Sequence, residues 1–167
     1  ATLVASQLNY KLGSLPLVGG NSFTLHNDNH EAMRIMAQEV DKAQRYVHFE
    51  FYITTYDEAS KVLWDALFAA QKRGVRVRVL IDHIGSRKYP SYRQLTKMLN
   101  ESGIEWRLML PIKPWRLQWQ RPDLRNHRKV LVIDGAVAFS GSQNAIHRSY
   151  DLKENVRKGL EWKDLTF

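Results

Sequence analysis

Between Tyr46 and Asp82 the apolar residues change period twice, and this limits the folds open to the chain more than any other feature of its sequence. Val47, Phe49, Phe51 and Ile53 alternate with Tyr46, His48, Glu50 and Tyr52, which is the two-residue period of a strand with one buried face. Ala59, Val62, Leu63, Ala66, Leu67 and Ala70 then follow helical spacing. Lys72, Arg73 and Gly74 place cations and a glycine where a helix end favours them. Residues 75–82 read as a second strand. Strand, helix, strand in this order is a βαβ unit, which implies a parallel sheet with helices packed on it.

The same reading extends in both directions. Residues 1–21, punctuated by Gly13, Pro16, Gly19 and Gly20, are expected to be an irregular lead-in. Residues 22–26 read as a short strand. Asp28 and Glu31 form a capping box that opens a helix with Met33, Met36, Ala37 and Val40 inward. A third helix through Tyr92, Leu95, Met98 and Leu99 ends at Ser102-Gly103, followed by a strand at 104–108. Residues 111–126 set Pro111, Pro114 and Pro122 among Lys113, Trp115, Arg116, Trp119, Arg121 and Arg125. They are expected to form a long basic, aromatic loop that packs over the core, sits at a membrane interface or faces nucleic acid. Residues 128–133 and 136–140 form a hairpin about Asp134-Gly135, and 162–167 enter another strand. The expected class is α/β, with a mixed, largely parallel sheet flanked by helices on both faces and residues 22–167 as one domain.

Composition removes several classes of function. A hydrophobic share of 44% fills a core and argues against disorder. The chain has no Cys, so it holds no disulfide, thiolate nucleophile or Cys-based metal site. Twenty-five Lys and Arg against seventeen Asp and Glu leave a formal charge of +8, which favours an anionic partner. His26 and His30 are four apart, but a cap at Asp28 interrupts any helix between them, and neither metal nor cofactor is expected. Asp82, His83 and Ser86 lack the nucleophile elbow of a hydrolase triad.

The chemistry concentrates in His127-Arg128-Lys129-Val130-Leu131-Val132-Ile133-Asp134, followed by Gly141-Ser142-Gln143-Asn144. In a strand, His127 and Lys129 project from one face, so an imidazole stands beside an ammonium. The returning strand brings a hydroxyl from Ser142 and an amide from Asn144, while Gly141 permits close backbone approach. Together they form a set of groups suited to a phosphoryl anion.

This pattern resembles the phospholipase D superfamily, whose HxKxxxxD motif and Gly-Ser-x-Asn element are matched at His127, Lys129, Asp134, Gly141, Ser142 and Asn144. Gly19-Gly20-Asn21, residues 46–53, Lys72-Arg73-Gly74-Val75, residues 82–86 and Trp162-Lys163-Asp164 resemble the N-terminal catalytic half of bacterial cardiolipin synthases. The resemblance implies metal-free phosphatidyl transfer from phosphatidylglycerol through a phosphohistidine, with a second His from a second motif acting as acid and base. His127 is then nucleophile or acid/base, and Lys129 and Asn144 bind phosphate, with Ser142 a further candidate. Asp134 completes the catalytic motif, but its strand parity and turn position suit it to organising the site. Asp164 would orient His127, or Glu154 if the alignment slips, and Glu50 would lie in the active-site floor.

The other five His lack a Lys two residues on, so the sequence holds one motif where the chemistry needs two. The chain is expected to be one half of a pseudo-two-fold enzyme, cut short at its C-terminal end and inactive or weakly active alone. It would be completed by a C-terminal half with a second motif or by a second copy of itself. The resemblance places the parent at the bacterial cell membrane and makes this fragment soluble. The alternative is a homodimeric endonuclease or phosphodiesterase with nucleic acid as partner. A third reading, a basic lipid- or nucleic-acid-binding domain with a degenerate motif, is opposed by the intact His127, Lys129 and Asp134.

Overall fold

The computed structural model describes residues 2–13, 18–112 and 123–167. Its centre is β1 (Tyr46–Phe51), the middle strand of a five-stranded sheet. On one side β1 pairs in parallel with β2 (Arg76–Asp82), which pairs in parallel with β3 (Glu105–Met109). On the other side it pairs antiparallel with β4 (Lys129–Ile133), which turns at Asp134-Gly135 into antiparallel β5 (Val137–Ser140). The strand order is β3-β2-β1-β4-β5, so the sheet is mixed, with the βαβ part parallel and the hairpin part antiparallel.

The period-two reading of β1 holds residue by residue. Val47, Phe49 and Phe51 are buried, and Val77, Val79, Ile81, Leu131, Ile133 and Phe139 share their core. Three helices close over this face. They are α2 (Asn29–Asp41), α3 (Lys61–Lys72) and α5 (Tyr92–Ser102), contributing Met33, Met36, Leu63, Trp64, Leu67, Leu95 and Leu99. Asp28 caps α2 as its spacing predicts, accepting the Glu31 N–H at 2.8 Å.

The opposite sheet face is open among the described residues. His48, Glu50, Arg78, Leu80, Glu105 and Arg107 line a hollow of about 400 Å³ there. The reason is topological. The crossovers β1–α3–β2 and β2–α5–β3 step the same way across the sheet, so right-handed connections set both helices on one face. The helical layer expected on the second face is not supplied by the described residues.

Other expectations change locally. Residues 1–21 are not irregular throughout, because Thr2–Leu12 forms helix α1. Residues 22–26 form no strand: Phe23 and Leu25 are 79% and 56% exposed, so the alternation there buries nothing. Only His26 pairs, in an isolated bridge to Thr166. The expected C-terminal strand is reduced to bridges, with Thr166 held between His26 and Gly141. Two short helices join the predicted set, α4 (His83–Arg87) and α6 (Lys153–Lys158). Of the expected basic loop, residues 113–122 lie outside the described residues. No helix among the described residues is long and apolar enough to cross a membrane.

Candidate functional site

The reactive groups gather where β1 ends and β4 begins. Lys129, the first residue of β4, pairs with Phe51, the last of β1, and Arg128 O accepts the Tyr52 N–H, so the pairing continues past both strands. Strand parity therefore puts Lys129 on the core side, where it is 4% exposed, and His127 beside it. The Lys129 ammonium donates to His127 Nδ1 at 2.9 Å and to His127 O at 2.8 Å. The Tyr52 ring forms the wall, 4.6 Å from the His127 ring and 5.6 Å from Lys129 Nζ.

Each group is tuned by this arrangement. Partial burial, and then the neighbouring Lys129 charge, lower the His127 pKa below its ordinary 6.5. Burial lowers Lys129, opposed by the nearby Asp164 carboxylate. His127 is thus favoured as the neutral imidazole at neutral pH, the form that can act as a nucleophile.

Asn144 reaches the same place from the returning chain. Its Oδ1 accepts the Ile53 N–H at 3.0 Å, next to Tyr52, and its Nδ2 donates to the Tyr150 hydroxyl at 2.8 Å. Both ends of the amide are fixed, and one N–H remains for an anion. Tyr150 and Asp151 have positive φ (56° and 50°), a sparsely populated conformation for such side chains, and Tyr150 also packs edge-on against Trp162. Tyr150 was not singled out from the sequence, because nothing local marks a residue six positions after Asn144. Replacing it (Tyr150→Phe) is expected to lower kcat/KM of the assembled enzyme about tenfold, with an unchanged melting temperature, by freeing the Asn144 amide from one of its two anchors.

The remaining predicted residues divide. Ser142 lies at the site's edge, but its hydroxyl donates to Asp164 at 2.7 Å and accepts the Leu165 N–H at 3.1 Å, so it fastens the C-terminal segment. Asp164 is taken by Ser142 and by Asn29 Nδ2 at 3.3 Å; it makes no hydrogen bond to His127 and acts on the site through its charge near Lys129. Glu154 is remote, paired with Lys158 on α6. Glu50 points to the open sheet face, where Asn126 donates to it at 2.6 Å, so its link to His127 is one residue removed. The hollow around Glu50 is an uncovered strand surface; the His127–Lys129 pair belongs to the other face.

Asp134 lies about 16 Å along β4 from Lys129. Its carboxylate accepts the N–H groups of Gln44, Arg45 and Tyr46 at 2.8–2.9 Å, tying the α2–β1 loop to the hairpin. The backbone bonds from Gln44 and Tyr46 lead in holding its pKa below the usual carboxylate range. This contribution to stability is present above the unfolded pKa and is lost as pH falls through the folded one. Asp134 belongs to the motif by sequence and to the scaffold by position.

Gly141 makes the edge possible. A Cβ there would collide with the Leu165 carbonyl, and its φ of +155° disfavours any other residue. Gly141→Ala is expected to cost about 1–3 kcal/mol in urea unfolding and to separate Asp164 from Ser142.

Residues 36–161 match a family model described as the PLD-like domain of cardiolipin synthase. The chain belongs to that family. Among its relatives, the cardiolipin synthase of Geobacillus kaustophilus is 34% identical over 140 residues, covering 83% of this chain and 27% of that protein. The major cardiolipin synthase of Bacillus subtilis is 35% identical over 126 residues, 74% of this chain and 25% of that protein. The PLD-like domain therefore spans about a quarter of the length of the curated relatives it matches. In fold it is similar to the phospholipase D family member Nuc of Salmonella typhimurium, with a TM-score of 0.61 at 20% identity, over 87% of this chain and 80% of that one.

Proposed function

We propose that this PLD-like domain supplies one half of a phosphatidyltransferase site of cardiolipin synthase type. The observation that carries the reading is the buried Lys129 ammonium 2.9 Å from the His127 ring, with the anchored Asn144 amide on the neighbouring residue of the Tyr52–Ile53 wall. Kinship with cardiolipin synthases supports phosphatidylglycerol as the substrate.

His127 attacks phosphorus, an N–P bond forms and the P–O bond to the leaving glycerol breaks. A His from a second copy of the motif, on the same polypeptide or on a second chain, gives the glycerol its proton. That His then takes the proton from the hydroxyl of a second phosphatidylglycerol, whose oxygen displaces His127 and yields cardiolipin. Lys129 and Asn144 hold the non-bridging oxygens as charge redistributes. An ammonium only donates, so its contact with Nδ1 leaves the neutral ring's proton on Nε2. Attack through Nε2 therefore requires Lys129 to swing from the ring to the phosphoryl oxygens, and the ring proton to move to Nδ1.

The test is product analysis with the assembled two-motif protein and labelled phosphatidylglycerol in mixed micelles. Cardiolipin and free glycerol in equal amounts are expected. Cleavage of DNA with no lipid product would contradict the proposal.

A further inference from the structure

The positive charge of this domain is concentrated in two stretches. Residues 83–100 hold Arg87, Lys88, Arg93 and Lys97 and no carboxylate, and residues 111–128 hold Lys113, Arg116, Arg121, Arg125 and Arg128 against Asp123 alone. These two stretches account for the whole formal +8, and the rest of the chain is balanced. The described ends of the second stretch meet the first at α4. The Ile112 N–H donates to His83 Nδ1 at 3.1 Å, and Arg125 pairs with Asp82, the residue that caps α4.

The turn from α4 to α5 is the described, solvent-facing part of this corner. Arg87, Lys88, Pro90 and Arg93 are exposed and form, with Tyr89 and Tyr92, a groove of about 490 Å³. Lys97 has Glu101 nearby, whereas Arg87, Lys88 and Arg93 have no carboxylate in ion-pair range among the described residues. The turn also touches the reactive site. Tyr89 is 6% exposed and packs with Ile53, Ile146 and the site rings Tyr52 and Tyr150, while Lys88 Nζ stands 5.2 Å from the Tyr89 ring centre. One buried side chain separates the cationic turn from the wall that holds His127.

We propose that the α4–α5 turn is the surface by which the protein docks on an anionic phospholipid bilayer, setting the His127 site against the head-group layer. The inference rests on the lipid-substrate reading above and names the surface that would serve it. Unpaired cations meet the anionic leaflet at about 1 kcal/mol each, and the half-buried Tyr92, apolar in body and polar at the tip, suits the boundary between head groups and acyl chains. Ile84, 36% exposed on α4, adds an apolar contact at the same corner.

The experiment is sedimentation of the chain with vesicles of phosphatidylglycerol and phosphatidylcholine, and with vesicles of phosphatidylcholine alone. The wild type should bind only the anionic vesicles, and less as salt rises. Arg87→Ser, Lys88→Ser and Arg93→Ser combined should weaken that binding roughly a hundredfold. Replacing three exposed cations elsewhere, Lys72, Arg76 and Arg157, should change it only a few-fold; equal losses would reduce the effect to net charge and overturn the proposal. A triple turn variant that binds anionic vesicles like wild type would also overturn it, as would one that loses only duplex DNA binding. Sedimentation needs no chemistry, so it distinguishes this inference from the proposed reaction. His127→Ala should bind vesicles as wild type does, and turn-dependent binding by a protein that makes no cardiolipin would leave the docking surface standing while the reaction fails.

Discussion

His127→Ala is expected to remove transfer activity by at least about 10⁴-fold in the assembled enzyme, because no other group that this chain brings to the site can form the bond to phosphorus. Lys129, 2.9 Å away, donates but has no free lone pair at neutral pH, and Asn144 is held as an amide by Ile53 and Tyr150. Folding should be little affected, since His127 is exposed and packs mainly against Tyr52. The pH profile adds an independent check. Burial and then the Lys129 charge hold His127 below 6.5, so the neutral ring persists further into acid than for an ordinary His. The acid limb of kcat/KM should therefore lie below pH 6.5. Lys129→Met removes the opposing charge and should move the His127 titration, followed by NMR, upward. A residual activity within tenfold of wild type in His127→Ala would contradict the assignment.

Arg125→Ala is expected to cost about 3–5 kcal/mol of stability, on the order of 10 °C in melting temperature. The side chains of Asp82 and Arg125 are 0% and 8% exposed, and their ion pair spans 3.1 Å. Asp82 Oδ1 also accepts the Gly85 N–H, capping α4, and Arg125 donates to Leu110 O at 2.9 Å, so one pair joins the end of β2, the chain after β3 and the approach to His127. Removing the guanidinium leaves a buried carboxylate without its counter-charge. Asp82→Asn in the Arg125→Ala background should recover part of the loss, because the uncompensated charge is then gone. A single Arg125→Ala change below 1 kcal/mol would show that the pair is not buried in solution.

How much of this was legible in the sequence follows from how local each signal is. The alternation of Val47, Phe49 and Phe51 with His48 and Glu50 identified β1 and its buried face, and Asp28 with Glu31 marked the start of α2, because both patterns lie within one element. His127 and Lys129 were placed together for the same reason. The irregular reading of residues 1–21 followed Gly13 and Pro16 and passed over an eleven-residue run free of both, which forms α1.

The partners that act across the chain were not legible. Ser142 with Asp164, Asn144 with Ile53 and Tyr150, and Asp82 with Arg125 depend on how strands and loops meet, and no spacing rule connects them. Asp134 shows the opposite limit. The motif includes it, but a five-residue strand carries it to the far end of β4, where it serves the backbone of residues 44–46. Helices on both faces were expected from the alternation of elements. Two crossovers running in one direction put α3 and α5 on the same side.

His127 is expected to carry the phosphatidyl group during turnover. Acid-sparing quench of the assembled enzyme acting on phosphatidylglycerol, followed by mass spectrometry of the peptide containing residues 127–129, detects that group. A phosphatidyl adduct on His127, absent from His127→Ala and discharged on adding excess acceptor, is the expected result. Adduct on the His of the second motif alone, with His127 unmodified at every time point, would contradict the account and make His127 the acid/base partner.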